Sequence, residues 1–352
     1  MTGEPLRVMQ SFRAPRSTTN PYITMLDQAL AADPQLAHRR FSWGGALFGR
    51  YDVFHWHWPE GKLHGTTWWK SAGKFALTAL LSLRHRLSRR ITVVRTVHNV
   101  ELPDDNAPRT WLLRRIDAQT DHRIVLNTTT RLPAGMTHTL ILHGHYRDWY
   151  APQPHRERVP GRLGTFGGVR RYKSVDALVA AYAEAVTIEP ALTLRVGGRP
   201  STPELGDDLR RSTSALPGVQ LQLAFLSDAE LVELATSSEL VVLAYRFMHN
   251  SGSVLAALSL DRPVLVPRNE VNEALAQEVG SDWVLMYDGE LDGDALISAW
   301  RSARGLSPTA RPDLSGREWA DAGAAHAAAY RAAIAGKRHS STASVRPAEV
   351  PA

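Results

Sequence analysis

The chain has 352 residues, of which 43% are hydrophobic and 22% charged, and it contains no cysteine. This length suffices for two α/β domains, and the lack of cysteine excludes disulfides, Cys-zinc sites and thiol nucleophiles and fits a reducing cytoplasm. A net charge of +6 favours anionic partners such as nucleic acid, acidic lipid or phosphorylated substrates. We expect neither a signal peptide nor a membrane span, because the first residues lack an apolar core and no long apolar run follows.

The first half of the chain alternates short apolar runs with longer helical patterns. The segment from Pro21 to Leu30 predicts a helix, because Asn20 suits the N-cap and Pro21 suits the first helical position. The other elements predicted here are strands at 6–9, 52–57, 91–98, 123–127 and 139–143 and a helix at 66–88. Such alternation predicts a parallel sheet covered by helices.

A proline-rich segment of mixed charge at 151–161 predicts an interdomain linker, and a second alternating series follows it. The simplest account is two Rossmann-like halves of similar size. From Gly336 onward the apolar content is very low, which predicts a disordered tail over 336–352. The predicted strands of the second half are at 162–168, 192–198, 219–225, 240–245 and 263–267, with a helix at 175–186.

A glycine-rich basic segment, GGVRRYKS at 167–174, follows the first strand of the second half. A glycine pair after a strand lets the backbone approach a ligand closely, and the basic side chains and the helix N-terminus beyond them suit an anion. Arginine can bind a phosphate through two hydrogen bonds, while lysine supplies a compact charge. A solvated basic turn is the alternative interpretation of the segment taken alone.

This segment resembles the G-x-x-R-x-Y-K-G loop of many glycosyltransferases of the large family 4-like group. Gly167, Arg170, Tyr172 and Lys173 match that loop, and Ser174 replaces its usual final glycine. Other motifs resemble those of bacterial exopolysaccharide and glycolipid glycosyltransferases, some of which are β-mannosyltransferases using GDP-mannose. These motifs are NPY at 20–22, HWPE at 57–60, TVHN at 96–99, NSGS at 250–253, AAL at 256–258, RPV at 262–264 and a last helix from Trp319 to Ala333.

The resemblance implies an α/β GT-B fold, in which two Rossmann-like domains face a central cleft. An acceptor-binding domain is expected at 1–152 and a nucleotide-sugar-binding domain at 160–310. A helix within 311–335 is expected to cross back to the first domain.

The resemblance also implies that Arg170 and Lys173 hold the donor diphosphate, where fixed cations would stabilise the negative charge of the leaving group. We expect no metal and no cofactor, because these cations can replace a divalent ion and no Asp-x-Asp motif follows a strand. The expected donor-binding residues are Gly167, Gly168, Arg170, Lys173, Tyr245, Asn250, Ser251, Gly252 and Ser253.

One departure from the family pattern concerns the anomeric outcome. Retaining family 4 enzymes usually carry two glutamates eight positions apart, and the corresponding positions here are Ala256 and Met248 or His249. An inverting mechanism is therefore open, and it needs a general base for the acceptor hydroxyl. His98 and Glu60 are the candidates. A structural role for His98 is the alternative, and Glu101 and Asp104 are weaker base candidates.

A basic segment at 61–95 carries eight Lys or Arg and no Asp or Glu. Its helix predicts an apolar face formed by Trp69, Ala76, Leu80, Leu83 and Leu87. Basic amphipathic helices with tryptophan can lie at an anionic membrane, so this helix is a candidate contact for a lipid-linked acceptor. Packing of the same stripe on the sheet is the alternative. The residues assigned to acceptor or membrane contact are Trp58, Lys70, Lys74, Arg84 and Arg86.

The function predicted from these features is glycosyl transfer from a nucleotide-diphosphate donor, with GDP-mannose favoured, to a glycolipid, polysaccharide precursor or other sugar acceptor. The expected location is the cytoplasm, with peripheral contact at the inner face of the cell membrane. The alternative is a non-enzymatic basic protein that binds nucleic acid or membrane. No nucleic-acid-binding module appears, and no G-x-G-x-x-G follows the first strand, which disfavours a dehydrogenase.

Overall fold

The computed structural model describes residues 4–16, 18–99 and 105–343. The chain divides into two compact units. The first unit comprises the residues up to His143 together with those from Glu318 onward. The second unit is Gly144–Arg317.

Among the described residues of the first unit, one parallel sheet contains the strands β1 (Leu6–Gln10), β2 (Leu36–Arg39), β3 (Val53–Trp56), β4 (Thr92–Val97), β5 (His122–Val125) and β6 (His138–Leu140). Their order across the sheet is β2-β1-β3-β4-β5-β6. The first helices are α1 (Pro21–Ala32), α2 (Trp43–Phe48), α3 (Trp68–Leu87) and α4 (Ala107–Ala118). Asn20 caps α1 by accepting a hydrogen bond from the Tyr22 backbone N–H at 3.0 Å, which confirms the predicted start of this helix.

The second unit repeats this architecture over its own sheet, again counted over the described residues. Its strands are β7 (Arg162–Phe166), β8 (Thr193–Gly197), β9 (Val219–Gln222), β10 (Leu240–Val242), β11 (Val264–Pro267) and β12 (Val284–Tyr287), in the order β12-β11-β10-β7-β8-β9. Its helices are α5 (Arg147–Tyr150), α6 (Val175–Ile188), α7 (Pro203–Thr213), α8 (Asp228–Ser237), α9 (Gly252–Ser259), α10 (Glu270–Val279) and α11 (Gly293–Arg304). Two parallel sheets with flanking helices confirm the predicted α/β class.

The segment 151–161 belongs to the second unit and is not the boundary between the units. Hydrogen bonds fix it to that unit: the Arg156 backbone N–H donates to the Thr236 hydroxyl at 2.9 Å. The Gly161 N–H donates to the Glu239 carboxylate at 2.8 Å. The prolines therefore mark irregular backbone that is bound to one unit, and the division falls between His143 and Gly144 rather than near residue 152.

The last helix, α12 (Ala322–Ala343), packs in the first unit against α1 and β4. Gly323 permits this contact, since a Cβ there would lie 2.6 Å from the Ala29 carbonyl oxygen. The helix continues through residues 336–343, where a disordered tail was expected. Lys337 helps to hold this end, because its ammonium donates to the Ile91 carbonyl at 2.6 Å and contacts Asp121 at 2.8 Å. The rest of the predicted tail, 344–352, lies outside the described residues.

Candidate active site

The predicted site residues lie where each sheet reverses its strand order. In open parallel sheets, ligands bind beyond the carboxyl ends of the strands at this reversal. In the second unit the reversal lies between β7 and β10, which lead into Gly167 and Tyr245. In the first unit it lies between β1 and β3, which lead into Ser11 and His57.

Gly167 has a conformation and surroundings that exclude a side chain. Its φ is +101°, and a Cβ would lie 3.0 Å from Lys173 Nζ and 3.4 Å from Ser253 Oγ. The backbone of Gly198 crosses so closely behind it that a Cβ on Gly198 would lie 2.0 Å from the Gly167 carbonyl oxygen. The bare backbone of Gly167 thus lets Lys173 and Ser253 lie close to it. Gly168 is exposed and is not confined in this way.

Lys173 occupies an environment that suits an anion. Its ammonium lies 4.8 Å from the centre of the Tyr245 ring. Burial is the largest cause lowering the pKa of Lys173, and the positive charge of Arg170 lowers it further. Within the described part of the chain, no carboxylate forms an ion pair with this ammonium. An anion bound here would restore the solvation that the charge has lost.

A second loop completes the group around Lys173. The Tyr245 hydroxyl donates to Ser253 Oγ at 3.1 Å. Ser251 caps α9 by accepting from the Val254 backbone N–H at 3.4 Å, so the helix starts at Gly252. Asn250 precedes this cap and is half-buried. The hydroxyls and the helix N-terminus offer donors beside the ammonium, which is the chemistry that phosphate oxygens need.

Ser174 adopts the left-handed conformation, with φ +44°, at the N-cap of α6. This conformation explains why the resembling loop ends in glycine. The hydroxyl of Ser174 accepts from Arg246 Nε at 3.2 Å, and the Arg246 backbone N–H donates to the Tyr172 carbonyl at 2.9 Å. Arg246 ties the two loops together and was not among the residues predicted from the sequence. Its place directly after Tyr245, at the end of a predicted strand, was the available signal.

Arg170 is exposed and takes a different place from Lys173. It lines an open pocket of about 310 Å³ together with Arg171, Leu205, Asp208 and Arg246. Lys173, Gly167, Tyr245 and Ser253 are in direct contact, whereas the charge of Arg170 reaches this group through space.

His98 follows β4 and is held between an indole and a second imidazole. Its ring stacks on Trp58, with centroids 3.6 Å apart and planes 14° apart. Its Nε2 lies 3.2 Å from His57 Nδ1. Tyr22 meets it edge-on, with centroids 5.5 Å apart. Burial, followed by the neighbouring His57, His143 and Arg95, holds the pKa of His98 well below its usual value, so the imidazole is neutral at neutral pH.

A buried hydrogen-bond network determines which nitrogen of His98 carries the proton. His57 Nε2 lies 3.2 Å from Gln10 Oε1, and the Gln10 amide donates to the Tyr330 hydroxyl at 3.0 Å. A carbonyl oxygen can only accept, so the proton of neutral His57 lies on Nε2 and its Nδ1 accepts from His98 Nε2. This places the basic lone pair of His98 on Nδ1. Burial lowers the pKa of His57 to about 3, which keeps it neutral.

Glu60 shares a small pocket with His98. It lies half-buried in a short turn, Pro59–Lys62, and the pocket is also lined by Trp58, Thr96 and Asn99. The structure therefore brings the two candidate bases onto one surface. Glu101 and Asp104 lie outside the described residues.

The apolar face of α3 points outward. The helix buries Thr78, Leu81, Ser82 and His85. Hydrogen bonds hold this inner face: Ser82 Oγ donates to Gln119 Oε1 at 2.9 Å, and His85 Nε2 lies 3.1 Å from the Tyr51 hydroxyl. We call the opposite side the outer face of α3; it comprises Trp68, Trp69, Ala76, Leu80, Leu83 and Leu87, all exposed.

The cations of this helix have different surroundings. Lys70 and Arg86 are exposed. Arg84 differs from the expectation, because its guanidinium donates to the carbonyl oxygens of Ala46 at 2.6 Å and Gly49 at 2.5 Å. Lys74 is half-buried and donates to the His64 carbonyl at 2.5 Å. Arg84 thus binds the protein's own backbone.

Two further properties concern metals and membranes. The described residues contain no cluster of three or more His, Cys, Asp or Glu placed to hold a metal ion. Among those same residues, no helix has both the length and the apolar content needed to cross a bilayer.

Comparison with known proteins identifies the family. Two curated relatives from Xanthomonas campestris pv. campestris are each 40% identical over 332 residues, covering 94% of this chain and 93% of theirs. Both are named GDP-mannose:glycolipid 4-beta-D-mannosyltransferase. The chain belongs to this glycosyltransferase family. No model of a protein family matches it.

Solved structures support the same fold. Anabaena Alr3699/HepE in complex with UDP has a TM-score of 0.58 at 13% identity, covering 97% of this chain and 99% of that one. Sucrose-phosphate synthase from Thermosynechococcus elongatus has a TM-score of 0.56 at 14% identity, with coverages of 96% and 98%. These likenesses and the two sheets confirm the GT-B expectation, and the family confirms that the chain is a glycosyltransferase rather than a non-enzymatic binding protein.

Proposed function

We propose that this glycosyltransferase moves mannose from GDP-mannose to a hydroxyl of a glycolipid on which a polysaccharide is assembled. The group around Lys173 carries the proposal, because a desolvated ammonium beside Gly167, Ser253 and the α9 N-terminus suits the diphosphate of a nucleotide sugar. The names of the curated relatives suggest the nucleotide, GDP, and the sugar, mannose.

The proposed transfer inverts the anomeric centre in one displacement. The acceptor oxygen forms a bond to C1 of mannose while the bond from C1 to the diphosphate breaks. The acceptor proton passes to the base, and GDP carries away the electron pair. Ala256, and Met248 or His249, stand where retaining enzymes of the resembling group usually carry glutamates, and Ala256 and Met248 are buried. A β-linked product from the α-linked donor is therefore expected.

His98 is the proposed general base in this step. A base must be deprotonated when the acceptor arrives, and the lowered pKa of His98 keeps it so at neutral pH. Gln10 and His57 would position it by fixing the orientation of its ring through the Nε2–H. Glu60, on the same pocket, is the second candidate.

We also propose that the outer face of α3 rests on the inner surface of the cell membrane, where a glycolipid acceptor would be found. Trp68 is 78% exposed and Leu87 is 74% exposed, so the helix presents large apolar groups from end to end. Exposed cations at Lys70 and Arg86 favour an anionic surface. The apolar face would enter the interface while the cations bind lipid headgroups.

A donor screen tests the enzymatic proposal. The full chain is incubated with membrane glycolipid extract and GDP-mannose, GDP-glucose or UDP-glucose, and nucleotide release and the linkage of the product are measured. Release of GDP from GDP-mannose with a β-linked mannose in the product is expected. An α-linked product would contradict inversion, and release of UDP alone would contradict the donor.

A further inference from the structure

Tyr330 of α12 places a hydroxyl in the polar interior of the first unit. The Gln10 amide Nε2 donates to this hydroxyl at 3.0 Å, and His55 Nδ1 lies 2.8 Å from it. Gln10 and His55 stand opposite each other on the neighbouring strands β1 and β3. All three side chains are fully buried, so water does not compete for these hydrogen bonds.

A second histidine extends this contact toward the His98 pocket. His55 Nε2 lies 2.8 Å from Thr96 Oγ1. Thr96 precedes His98 by two residues and lines the same small pocket. His55 also packs on His57, with ring centroids 4.1 Å apart. A chain of five hydrogen bonds therefore starts at His98 and ends two residues before it in sequence. Its members in order are His98, His57, Gln10, Tyr330, His55 and Thr96.

The hydrogens of this chain all point the same way. Burial raises the pKa of Tyr330 above its usual value and holds the pKa of His55 well below its usual value, so the phenol keeps its proton and the imidazole is neutral. Because Tyr330 accepts from Gln10, its single proton is the one donated to His55 Nδ1. His55 then carries its own proton on Nε2 and donates through it to Thr96. Each donor thus points away from His98.

The orientation of the Gln10 amide decides this direction, because the amide donates from Nε2 and accepts at Oε1. Turning the amide over would place its Nε2 beside His57 and would move the proton of neutral His98 from Nε2 to Nδ1. The hydroxyl of Tyr330 couples such a change to the second half of the chain, whose protons would have to move as well. The hydroxyl thereby ties the amide to a larger cooperative unit.

We infer that Tyr330 is a positioning residue for the general base: acting through Gln10 and His57, it keeps the proton of His98 on Nε2. In this form the Nε2–H of His98 faces the lone pair of His57 Nδ1 when the ring takes up a proton from the sugar hydroxyl. The donors farther along the chain make that lone pair a stronger hydrogen-bond acceptor. The inference rests on the proposed role of His98, and it gives the last helix a part in the chemistry.

Proton-detected nitrogen spectra test the proton position directly. The full chain is labelled with isotope-enriched histidine, and the His98 signals are assigned by their loss in His98→Ala. Tyr330→Phe removes one buried hydroxyl and keeps the ring, and it should convert part of the His98 population from the Nε2–H to the Nδ1–H form. Tyr182→Phe is the matched control. It removes a buried hydroxyl that donates to the Leu192 carbonyl at 3.0 Å in the second unit, and it should leave the His98 signals unchanged.

Kinetics test the consequence for turnover. Tyr330→Phe should lower kcat by about ten- to a hundredfold with little change in KM for GDP-mannose, since groups that hold a catalytic imidazole in one tautomer act on the chemical step. Gln10→Met interrupts the chain at its next member and should lower kcat as well. The double variant should be no slower than Gln10→Met, because both changes act through the same hydrogen bonds. Losses that multiply in the double variant would contradict the inference.

The variants separate a failure of this inference from a failure of the proposed function. If His98→Ala keeps the wild-type kcat, the proposed base is wrong and Tyr330 has no base to position. If His98→Ala is inactive while Tyr330→Phe keeps the wild-type proton position and kcat, the inference alone is wrong. Melting curves of Tyr330→Phe and Tyr182→Phe show how much stability each hydroxyl contributes, so that a loss of kcat is not mistaken for unfolding.

Discussion

Trp58 lies flat against His98, with ring centroids 3.6 Å apart and planes 14° apart. Trp58 holds this position with a φ of +44°, in the left-handed region that bulky side chains rarely adopt. Backbone strain of this kind persists only where the surroundings enforce it, and here it places an indole over a candidate catalytic imidazole.

The first prediction concerns the pH dependence of turnover. A base acts in its neutral form, so kcat should be constant near neutral pH and should fall only on the acid side, well below the usual histidine pKa. Trp58→Leu should uncover the imidazole, raise its pKa and move the acid limb of kcat upward in pH. His98→Ala should lower kcat by about a hundred- to ten-thousandfold with little change in GDP affinity. If the acid limb of kcat does not move in Trp58→Leu, the group that titrates there is not His98.

The second prediction concerns the donor diphosphate. Lys173→Ala should lower kcat by about a hundred- to a thousandfold, since the ammonium would stabilise charge that develops as GDP leaves. Arg170→Ala should also lower activity. Arg301→Ala is the control, because it removes an exposed cation of the same unit on α11 and should stay near wild type. Steady-state kinetics that show only a KM change in Lys173→Ala would reduce its role to ground-state binding.

The third prediction is independence from divalent metal. With Lys173 and Arg170 providing the positive charge at the diphosphate, initial rates should be the same with and without EDTA. A loss of activity that magnesium or manganese restores would contradict it.

The fourth prediction concerns the outer face of α3. Replacing Trp68, Trp69 and Leu83 with serine should reduce sedimentation with anionic vesicles while the circular dichroism spectrum is unchanged, because these side chains are exposed. Lys70→Gln with Arg86→Gln should cost about 1 kcal/mol of binding per charge at low salt. Ile188→Ser is the control, being exposed on a helix of the second unit. If the wild-type protein does not sediment with anionic vesicles, the proposed membrane contact is refuted.

The fifth prediction concerns acid stability. Burial lowers the pKa of His57 to about 3 and of His326 to about 4 in the folded chain, below the usual value of 6.5. The unfolded chain therefore binds more protons below about pH 6.5, and stability is lost as pH falls toward the folded values. Within the described part of the chain, nothing hydrogen-bonds to the buried His326 Nε2, so His326→Leu should reduce the loss in melting temperature between about pH 7 and about pH 5. Equal losses in both proteins would contradict it.

The sequence predicted the elements whose patterns are local. The Asn20–Pro21 start of α1 and the Gly167 loop after β7 follow from turn and cap chemistry that neighbouring residues specify. The edge strands β2 and β12 were not predicted from the sequence. Both are short runs of four residues, and β2 is half polar, so neither shows alternation or a long apolar run.

The environment of His98 could not be predicted, because its parts are distant in sequence. Gln10 and Tyr330 are 320 residues apart and meet only after α12 packs in the first unit. The role of Arg84 could not be predicted from the sequence for a similar reason. Its basic character suggested a solvated or lipid-facing charge, whereas two carbonyl oxygens at the end of α2 bind it.

The polar inner side of α3 has a consequence for how firmly the helix is oriented. Ser82 and His85 each hydrogen-bond to a residue outside the helix, Gln119 and Tyr51 respectively, so a rotation about the helix axis would break those bonds and bury unpaired polar atoms. Purely apolar contacts would tolerate such a rotation, because they have no preferred direction. The rotational register of α3 is therefore fixed by its hydrogen bonds, and the tryptophans and leucines stay turned outward even in the absence of anything to cover them.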